Sequence, residues 1–333
     1  MERVKIALDA YGGDQAPEIN INGAISFLSK EPNNTEILLV GKENELKDLL
    51  SEKNYTGKQI HLIDAPEVFG MAEKPSLAIR KKNTSLYKTA QLVKEGKADA
   101  MVTAGNTGGV LAVGLFVVGR IKGIERGAIA TPIPSKNGFT ILLDSGANLE
   151  VRASHLKDFA VMGTEYARIL KMDNPKIGLL NVGEEDEKGT DLLKETFTLL
   201  KERFSENFVG NVEGRDIVAG DVDVIVTSGL LGNIAIKSIE GTAKYISTLL
   251  KKEIKSSGPL GLLGGALLKG TFDKLKKKLD PNQYGGAFIL GVNGVVTKAH
   301  GSSNATGIEN AINVAYEGVT GRLVDKLKDS LRG

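Results

Sequence analysis

The stretch Val4-Lys5-Ile6-Ala7-Leu8-Asp9-Ala10-Tyr11-Gly12-Gly13-Asp14 decides the fold class of this 333-residue chain. It begins as a short apolar run of strand length and continues as a loop of small and polar residues with two glycines. The same order returns along the chain, and further buried strands are predicted at 36–40, 100–103, 128–131, 139–143, 176–180 and 222–226. Near-continuous apolar strands of this kind are typical of a sheet that is buried on both faces.

Helical patterns separate the predicted strands. They fall at 18–29, 43–52, 75–95, 155–171, 190–203, 232–255 and 305–329. Strands that alternate with helices favour a mostly parallel, Rossmann-like sheet with helices on both faces, so we predict an α/β fold. The length is typical of about two domains. Because no low-complexity linker divides the chain, we predict one unit over 1–333, with two lobes within it as an alternative.

The composition excludes several classes of protein. The 43 basic and 41 acidic residues give a net charge of +2, so no overall field favours nucleic acid as a partner. The chain has no cysteine, which excludes disulfides and a cysteine nucleophile, and its three histidines are too few to favour a multi-histidine metal centre. Neither a P-loop nor a dinucleotide fingerprint follows a strand, which disfavours ATP and NAD. We predict no cofactor and no metal.

The N-terminal segment does not have the form of an export signal, because its apolar run is short and Asp9 follows it at once. No window of the sequence holds the roughly 20 apolar residues that a membrane-spanning helix needs. We therefore expect a cytoplasmic protein.

Glycine is unusually frequent, with 40 of 333 residues, against an ordinary share of about 7%. Much of it lies in five loops that follow predicted strands, at 9–17, 104–109, 144–148, 181–190 and 228–233. Glycine lets backbone N–H groups approach an anion closely, and a helix that starts at such a loop adds partial positive charge. Loops at the carboxyl ends of parallel strands meet at one edge of the sheet. We therefore predict a site for an anion the size of phosphate.

The polar side chains of these loops supply candidate ligands for the anion. Neutral hydrogen bonds can come from Asn106, Thr107, Asn148, Thr190 and Asn233. Lys188 is the one cation in this set of loops, and its long side chain suits a contact with phosphate. For any single loop, an ordinary turn or helix cap remains the alternative. We interpret the acidic run at 184–187 as solvated surface charge rather than a metal site.

A further candidate lies in Lys298-Ala299-His300-Gly301-Ser302-Ser303, just before the last predicted helix. His300 could act as a general base, and the alternative is a structural hydrogen-bonding role. Ser302 or Ser303 is the predicted cap of the helix.

The segment 244–280, which we call the basic arm, differs from the rest of the chain. It holds nine lysines and three acidic residues, and within it 259–268 consists of apolar residues, glycine and proline. Ten residues are too few to cross a membrane. We predict a protruding helical arm, either with a solvated lysine face alone or with an apolar tip suited to a membrane surface or an acidic partner.

In chain order, these loops resemble those of the bacterial fatty acyl-(acyl carrier protein):phosphate acyltransferases of the PlsX type. The resemblance rests on the segments 9–17, 104–108, 142–148, 179–184, 232–233 and 298–303. The chain departs from the family's usual residues at Tyr11, Gln15, Ser145 and Ser228. Ser228 stands where the family commonly has aspartate, so the resemblance does not extend to a carboxylate base at that position.

The resemblance implies a fold like that of phosphotransacetylases and isopropylmalate-dehydrogenase-like proteins, in a homodimer and without a cofactor. It implies that inorganic phosphate attacks the thioester of a long-chain acyl carrier protein and gives an acyl phosphate and the free carrier. A membrane glycerol-3-phosphate acyltransferase would then consume the acyl phosphate at the start of phospholipid synthesis. The expected partners are acyl carrier protein, phosphate, a second copy of the chain and that membrane enzyme, but not nucleic acid.

This implied reaction gives roles to the loop residues. Lys188 and Asn233 are predicted to contact the phosphate or the thioester oxygen, and His300 is a further catalytic candidate. The predicted substrate-binding residues are Asp9, Gly12, Gly13, Asn106, Thr107, Gly108, Asp144, Asn148 and Gly232. Within this set, the segment 106–108 is expected to cradle phosphate, whereas Asp9 and Asp144 position neighbouring loops.

The basic arm also gains a role, because acyl carrier proteins are strongly acidic. The predicted docking residues are Lys251, Lys252, Lys274, Lys276, Lys277 and Lys278. The predicted membrane tip, which would give peripheral contact with the inner face of the membrane, consists of Leu260, Leu262, Leu263, Leu267 and Leu268. Two alternatives stay open: a phosphotransacetylase that acts on acyl-CoA, and a non-catalytic regulator that binds acyl phosphate at the membrane.

Overall fold

A computed structural model describes residues 3–30, 35–272, 274, 283 and 286–331, apart from the side chains of Gly261, Leu262 and Gly265. Within these residues, eleven strands form one continuous sheet. In chain order they are β1 (Val4–Asp9), β2 (Thr35–Gly41), β3 (Ile60–Asp64), β4 (Ala100–Thr103), β5 (Ala128–Ser135), β6 (Gly138–Leu143), β7 (Ile177–Leu180), β8 (Phe208–Val212), β9 (Val224–Val226), β10 (Ala287–Leu290) and β11 (Val295–Lys298).

The sheet consists of two parallel groups of strands joined by antiparallel pairing. Its order is β3-β2-β1-β4-β11-β10-β5-β6-β9-β7-β8. The first strand group is parallel and comprises β3, β2, β1, β4 and β11, and the second is parallel and comprises β6, β9, β7 and β8. Between them, β10 is antiparallel to β11 and β5, and β5 is antiparallel to β6. The twist that accumulates across so wide a sheet turns one group relative to the other.

Helices cover both faces of the sheet, as predicted for an α/β fold. They include α1 (Glu18–Lys30), α2 (Glu43–Glu52), α3 (Ser85–Lys94), α4 (Thr107–Val113), α5 (Ala153–Ile169), α6 (Asp191–Arg203), α7 (Asp216–Ala219), α8 (Gly229–Ser256), α9 (Gly258–Leu267), α10 (Ala305–Thr320) and α11 (Leu323–Ser330). Successive side chains of a strand point to opposite faces. Accordingly, Ile6 and Leu8 of β1 pack in one core cluster with Phe27 of α1, whereas Ala7 packs in a second with Leu86 of α3.

All seven predicted strands are present. The strands β10 and β11 in the middle of the sheet were not among the seven, and two strands at the edges of the sheet were not predicted either. These are β3 and β8, which lie at opposite ends of the strand order. Several of their side chains are only half-buried or exposed. An edge strand has less surface to bury than a central one, so its apolar pattern is weaker.

Two predicted helices are wrong in extent. The helix predicted over 75–95 begins only at Ser85, because Thr84 has extended backbone and caps α3 by accepting the N–H of Tyr87. The helix predicted over 305–329 is two helices. Gly321 ends α10, and Arg322 has a left-handed backbone with a φ of 57°, which separates α10 from α11.

The long helix α8 leaves the sheet and continues into the basic arm. Its buried residues are the glycines Gly229 and Gly232 near its start, and most side chains of its second half are exposed. The helix α9 follows after a single residue. Among the described helices, none combines the length and the apolar character that crossing a membrane requires.

Candidate active site

Loops from both strand groups meet at one cavity with a volume of about 1330 Å³. The first group contributes residues that follow β1, β4 and β11, and the second contributes residues that follow β6 and β9. The polar side chains at this meeting point are Asp14, Thr107, Ser145, Asn233, Lys237, Glu240, Lys298, His300 and Ser302. Small-ligand sites typically have volumes of about 300–1,000 Å³, so this cavity has room for a larger substrate.

The loop 144–148, between β6 and α5, is held by a buried carboxylate. Asp144 is fully buried. Its carboxylate accepts hydrogen bonds of 2.7–3.1 Å from four backbone N–H groups, those of Ile129, Gly146, Ala147 and Asn148. The side-chain amide of Asn148 donates to the same carboxylate at 2.9 Å. Because these donors occupy both oxygens, Asp144 positions the loop beneath the cavity instead of facing a ligand.

The start of α8 packs directly on this loop. Ser228 caps α8 with its hydroxyl oxygen. A Cβ atom at Gly232 would collide with the carbonyl oxygen of Asp144, so the close approach of helix and loop requires glycine at that position. Gly146 lies against Asn233, and Asn233 lines the cavity. Among the described residues, no hydrogen bond occupies its side-chain amide, which leaves the N–H groups available to a ligand.

The loop after β1 is held in a similar way. Asp9 is buried, and its carboxylate accepts a hydrogen bond from the Thr103 hydroxyl at 2.8 Å. Burial raises the pKa of Asp9 above its ordinary value, and its hydrogen bonds partly oppose that rise. A Cβ atom at Gly12 would lie 2.6 Å from Thr103 Oγ1, so the loop closes tightly on β4. The loop then reaches the cavity at Asp14, whose N–H donates to the Gly301 carbonyl at 2.8 Å.

The loop between β4 and α4 places one hydroxyl at the cavity. Asn106 caps α4 with its side-chain oxygen, and its amide donates to the Met71 carbonyl at 2.5 Å. Gly108 packs so closely on Pro75 that a Cβ atom would collide with the ring. Thr107 lines the cavity. Of the predicted phosphate cradle at 106–108, Thr107 faces the cavity, whereas Asn106 and Gly108 fix the loop.

Lys298, the last residue of β11, brings a cation into the cavity. Its ammonium donates to the Ala299 carbonyl at 2.9 Å. Burial, and then the positive charge of Lys237, lower the pKa of Lys298 to about 8, and the carboxylate of Asp14 opposes the shift. The side chain is therefore mostly charged at neutral pH but gives up its proton more readily than an ordinary lysine.

His300 lies two residues further on, with one ring nitrogen already in use. Its Nδ1 accepts the backbone N–H of Ser302 at 3.3 Å and lies 2.8 Å from the Ser302 hydroxyl. Burial, and then the charge of Lys298, lower the pKa of His300 below its ordinary value, so the ring is neutral at pH 7. Because Nδ1 accepts, the hydrogen-bond pattern assigns the proton of the neutral ring to Nε2. His300 can therefore donate one hydrogen bond to an anion.

Lys188 lies in the loop between β7 and α6, and it is not among the residues that line the cavity. Its Nζ is 3.8 Å from a carboxylate oxygen of Glu185, and its side chain is half exposed. The amide of Asn181 donates to the Lys188 carbonyl at 3.0 Å and holds the loop. Since β7 pairs with β9, this loop starts beside the beginning of α8. A catalytic part for Lys188 stays a prediction.

The predicted site residues thus fall into two layers. Thr107, Asn233 and His300 line the cavity. The residues that hold the loops beneath it are Asp9, Gly12, Asn106, Gly108, Asp144, Asn148 and Gly232. Gly13 belongs with them, because its φ of 107° turns the β1 loop toward Gly301. The side chains of Asp9, Asp144 and Asn148 are all buried and hydrogen-bonded within the loops. This geometry disfavours a direct contact of Asn148 with the anion, whereas Asp9 and Asp144 were expected to position loops.

Six charged residues that line the cavity were not predicted as site residues, namely Asp14, Lys136, Lys237, Glu240, Lys244 and Lys298. A signal for Lys298 was present in the sequence, because an apolar run that ends in lysine places the charge at the carboxyl end of a strand. Lys237 gave no such signal, since lysine in a long helix is usually solvated. The predicted helix cap at Ser302 or Ser303 is also wrong: Asn304 caps α10 by accepting the N–H of Gly307 at 2.9 Å.

The basic arm carries exposed lysines and exposed leucines. Lys251, Lys252 and Lys274 are exposed. The exposed fraction is 83% for Leu260 and 80% for Leu267, and Leu263 and Leu268 are also exposed. The predicted docking residues Lys276, Lys277 and Lys278 and the side chain of Leu262 lie outside the described residues.

The chain has an α/β fold of the kind seen in phosphotransacetylases of known structure. The structure resembles a phosphotransacetylase from Streptococcus pyogenes with a TM-score of 0.66 at 18% identity, over 96% of this chain and 94% of that one. It resembles the EutD phosphotransacetylase from Staphylococcus aureus with a TM-score of 0.62 at 16% identity, over 95% and 94% of the two chains. These similarities show the fold alone, and they confirm the fold that the resemblance of the loops implied.

Sequence similarity shows the family. The model of a family described as "Fatty acid synthesis protein" matches residues 4–325. The chain is 51% identical to a phosphate acyltransferase from Thermosipho africanus over 98% of both chains. It is 46% identical to a phosphate acyltransferase from Thermotoga maritima over 98% of this chain and 96% of that one. The chain belongs to this PlsX family of phosphate acyltransferases, as predicted, and it is an acyltransferase.

Proposed function

We propose that the protein transfers a long-chain acyl group from acyl carrier protein to inorganic phosphate, and that the acyl phosphate feeds phospholipid synthesis. One observation carries the proposal: a single cavity joins a cationic, hydrogen-bonding end to a long and mostly apolar extension. The polar end suits phosphate, and the apolar extension suits a fatty chain.

Phosphate binds at the polar end, where three helices begin. Thr107 of α4, Asn233 of α8 and Gly307 of α10 line the cavity, each within the first two turns of its helix. The partial positive charge at the start of a helix favours an anion. Lys298 adds a positive charge at neutral pH. The neutral ring of His300 donates a hydrogen bond from Nε2 to the phosphate.

The chemical step is a direct displacement. An oxygen of hydrogen phosphate attacks the carbonyl carbon of the thioester and forms a C–O bond, and the C–S bond breaks. The proton of the phosphate passes to the departing thiolate, so the products are an acyl phosphate and the free thiol of the carrier. Phosphate is a competent nucleophile at neutral pH and a thiolate leaves readily. Positioning and stabilisation of the developing oxyanion can therefore supply most of the rate.

Asn233 is the residue we assign to the oxyanion. Its amide is uncharged, lines the cavity and is fixed by the contact of α8 with the 144–148 loop. Lys188 is assigned to the same oxygen or to phosphate, and this role requires the Lys188 side chain to leave Glu185 when substrate binds. An Asn233→Ala or Lys188→Ala variant should lose at least about tenfold in turnover, since removal of one oxyanion donor typically costs about 100- to 1,000-fold.

The carrier protein docks on the basic arm. Exposed Lys251, Lys252 and Lys274 offer positive charge to an acidic carrier. The exposed leucines of α9 give peripheral contact with the inner face of the membrane, near the glycerol-3-phosphate acyltransferase that would take the product. Vesicle flotation of the wild type against a Leu260→Glu/Leu263→Glu variant tests the membrane contact, and equal flotation would exclude it. The protein acts as a homodimer in the cytoplasm.

The proposed reaction is tested by incubating the purified protein with palmitoyl-carrier and radiolabelled phosphate. We expect label in a hydroxylamine-sensitive product and an equal amount of free carrier thiol, and no product when sulfate replaces phosphate. A parallel assay with acetyl-CoA identifies the phosphotransacetylase alternative, which would show faster turnover on acetyl-CoA. Absence of labelled product with every acyl donor would favour a regulator that only binds acyl phosphate.

A further inference from the structure

The cavity extends beyond its polar end into the space between β5 and α8. The walls there are mostly apolar, with Ile129, Ile133 and Pro134 on β5 and Ile236, Ile239 and Ala243 on α8. A phosphate bound at Lys298 and His300 would leave this region of the cavity free. An apolar region that continues from a phosphate site is suited to the part of the substrate that carries the fewest polar atoms.

The α8 wall is one face of that helix. Its cavity-lining apolar and small side chains recur every three or four residues, at Ile236, Ile239, Ala243 and Ser247. These side chains are half-buried, whereas Thr242, one residue from Ala243, is exposed and does not line the cavity. From Asn233 to Ser247 the helix rises by about 21 Å, at about 1.5 Å per residue.

The β5 wall faces α8 and has the same length. Its first residues lie at the polar end, because the N–H of Ile129 donates to the Asp144 carboxylate at 3.1 Å. Its last residue, Ser135, precedes the turn into β6 and also lines the cavity. About six residue steps of ~3.3 Å give a length of about 20 Å. Both walls therefore lead away from the polar end over nearly the same distance.

The end of this groove lies at the turn between β5 and β6. Val218 of α7 lines the cavity there, and its carbonyl oxygen accepts the N–H of Lys136, in the turn, at 3.1 Å. The residue Val218 is 42% exposed. An apolar ligand that reached this point would cover the exposed part of Val218.

A membrane-lipid acyl chain matches these dimensions. The hydrocarbon core of a bilayer is about 30 Å thick and contains two layers of chains, so one chain spans about 15 Å. We propose that the fatty chain of the substrate lies between β5 and α8, with its thioester at Ser145 and Asn233, and that Ala243 and Val218 set the longest chain that is accepted. The proposal rests on the proposed function and adds the residues that limit the length of the fatty chain.

The size of the expected effect follows from the burial of methylene groups. Each methylene moved from water to an apolar wall contributes about fourfold to affinity. An Ala243→Phe substitution fills the groove with a ring that displaces at least two methylenes of a long chain. We therefore expect kcat/KM for palmitoyl-carrier to fall by about 15-fold or more. The value for butyryl-carrier should stay within about twofold of the wild type, because a short chain ends before Ala243.

The test compares acyl-carriers with butyryl, octanoyl, lauroyl and palmitoyl chains in the wild type and three variants. Ala243→Phe is the test variant, and Thr242→Phe, which adds the same ring on the exposed side of α8, is the control. Val218→Phe is a second test variant from another element, in case Ala243→Phe alters the helix. Thermal unfolding shows whether each variant is folded at the assay temperature.

A selective loss of the long chains in Ala243→Phe or Val218→Phe, with the Thr242→Phe profile unchanged, would support the proposal. An equal loss at all chain lengths, or an unchanged profile in both folded test variants, would overturn it. The two proposals fail in different ways. If the chain groove is wrong, the wild type still forms acyl phosphate. If the proposed function is wrong, the wild type forms no acyl phosphate from any of the four carriers.

Discussion

Lys298 lies at the end of β11, where burial and the neighbouring Lys237 both disfavour its positive charge. Asp144 is its opposite, because backbone N–H groups and the side-chain amide of Asn148 donate hydrogen bonds to both of its carboxyl oxygens. Lys298 has few hydrogen-bond partners at the cavity, whereas both carboxyl oxygens of Asp144 already accept hydrogen bonds beneath it. This difference separates a residue available to a ligand from a residue that holds a loop.

The lowered pKa of Lys298 predicts an early loss of phosphate affinity as the pH rises. A lysine is charged below its pKa and neutral above it, and here the pKa is about 8, against an ordinary value of about 10.4. About one unit above the pKa, roughly a tenth of the side chains stay charged, so KM for phosphate should rise about tenfold. KM for phosphate is measured at each pH from initial rates at saturating palmitoyl-carrier and varied phosphate. Lys298→Arg should flatten the rise, and a KM that stays constant through this range would contradict the assignment.

Replacement of Asp144 predicts a loss of stability. An Asp144→Asn variant keeps the shape but turns one acceptor into a donor that faces backbone N–H groups. The free energy of unfolding should fall by about 2–3 kcal/mol, since buried hydrogen bonds to a charged group are lost. Urea denaturation measures the change. Asp186→Asn, at an exposed position, is the matched control and should unfold like the wild type; an unchanged midpoint for Asp144→Asn would refute the loop-holding role.

At the scale of elements, the site depends on how α8 packs against the loop that follows β6. Gly232 has no room for a side chain, because the Asp144 carbonyl occupies that space. Gly241, further along the same helix, has open space around it. The two glycines therefore have different reasons to be in one helix: Gly232 permits a close contact, whereas Gly241 only lowers helix propensity.

This contrast predicts opposite effects for the same substitution. Gly232→Ala should lower the free energy of unfolding by about 1–3 kcal/mol, because the added methyl group forces α8 away from the loop. It should also lower turnover, since Asn233 moves with the helix. Gly241→Ala should raise stability by about 0.5–1 kcal/mol and leave turnover unchanged. Chemical denaturation and initial rates measure both; equal stability of the two variants would contradict the packing described.

The elements that the sequence predicts best are the buried ones. The strand at 100–103 matches β4 at both ends because it is apolar throughout and central in the sheet. The helix predicted at 75–95 is too long, because the cap at Thr84 and the single turn Pro75–Leu77 depend on contacts with other parts of the chain. Four of the five predicted glycine-rich loops reach the cavity, and the loop 181–190 does not line it. Which side chain of a loop faces the cavity depends on packing that no local pattern contains.

At the scale of the whole molecule, charge is nearly balanced but unevenly placed. The net charge is +2 over 333 residues, yet nine lysines fall in 244–280. A small net charge gives no general attraction for an acidic partner, whereas a local excess on an exposed arm does. Recognition of the carrier should therefore depend on the arm and not on the total charge of the protein.

A pair of charge reversals tests this dependence. Lys251→Glu/Lys252→Glu should weaken carrier binding at least about tenfold at low salt, and added salt should weaken binding to the wild type, because exposed charges are screened beyond about 10 Å at 0.1 M salt. Lys47→Glu/Lys58→Glu changes the net charge equally at exposed positions outside the arm and should have little effect. Titration calorimetry gives the affinities; similar losses in both variants, or salt-independent binding, would contradict docking on the arm.

The convergence of two strand groups on one cavity is tested most directly by one residue from each. Lys298 is the last residue of β11 in the first strand group, and Asn233 lies in α8, which follows β9 of the second strand group. The measurement is kcat/KM for phosphate in acyl phosphate formation by Lys298→Met and Asn233→Ala, with unfolding midpoints to show that both are folded. We predict that each variant loses at least about tenfold. Wild-type values in either folded variant would show that the two groups do not form one active site.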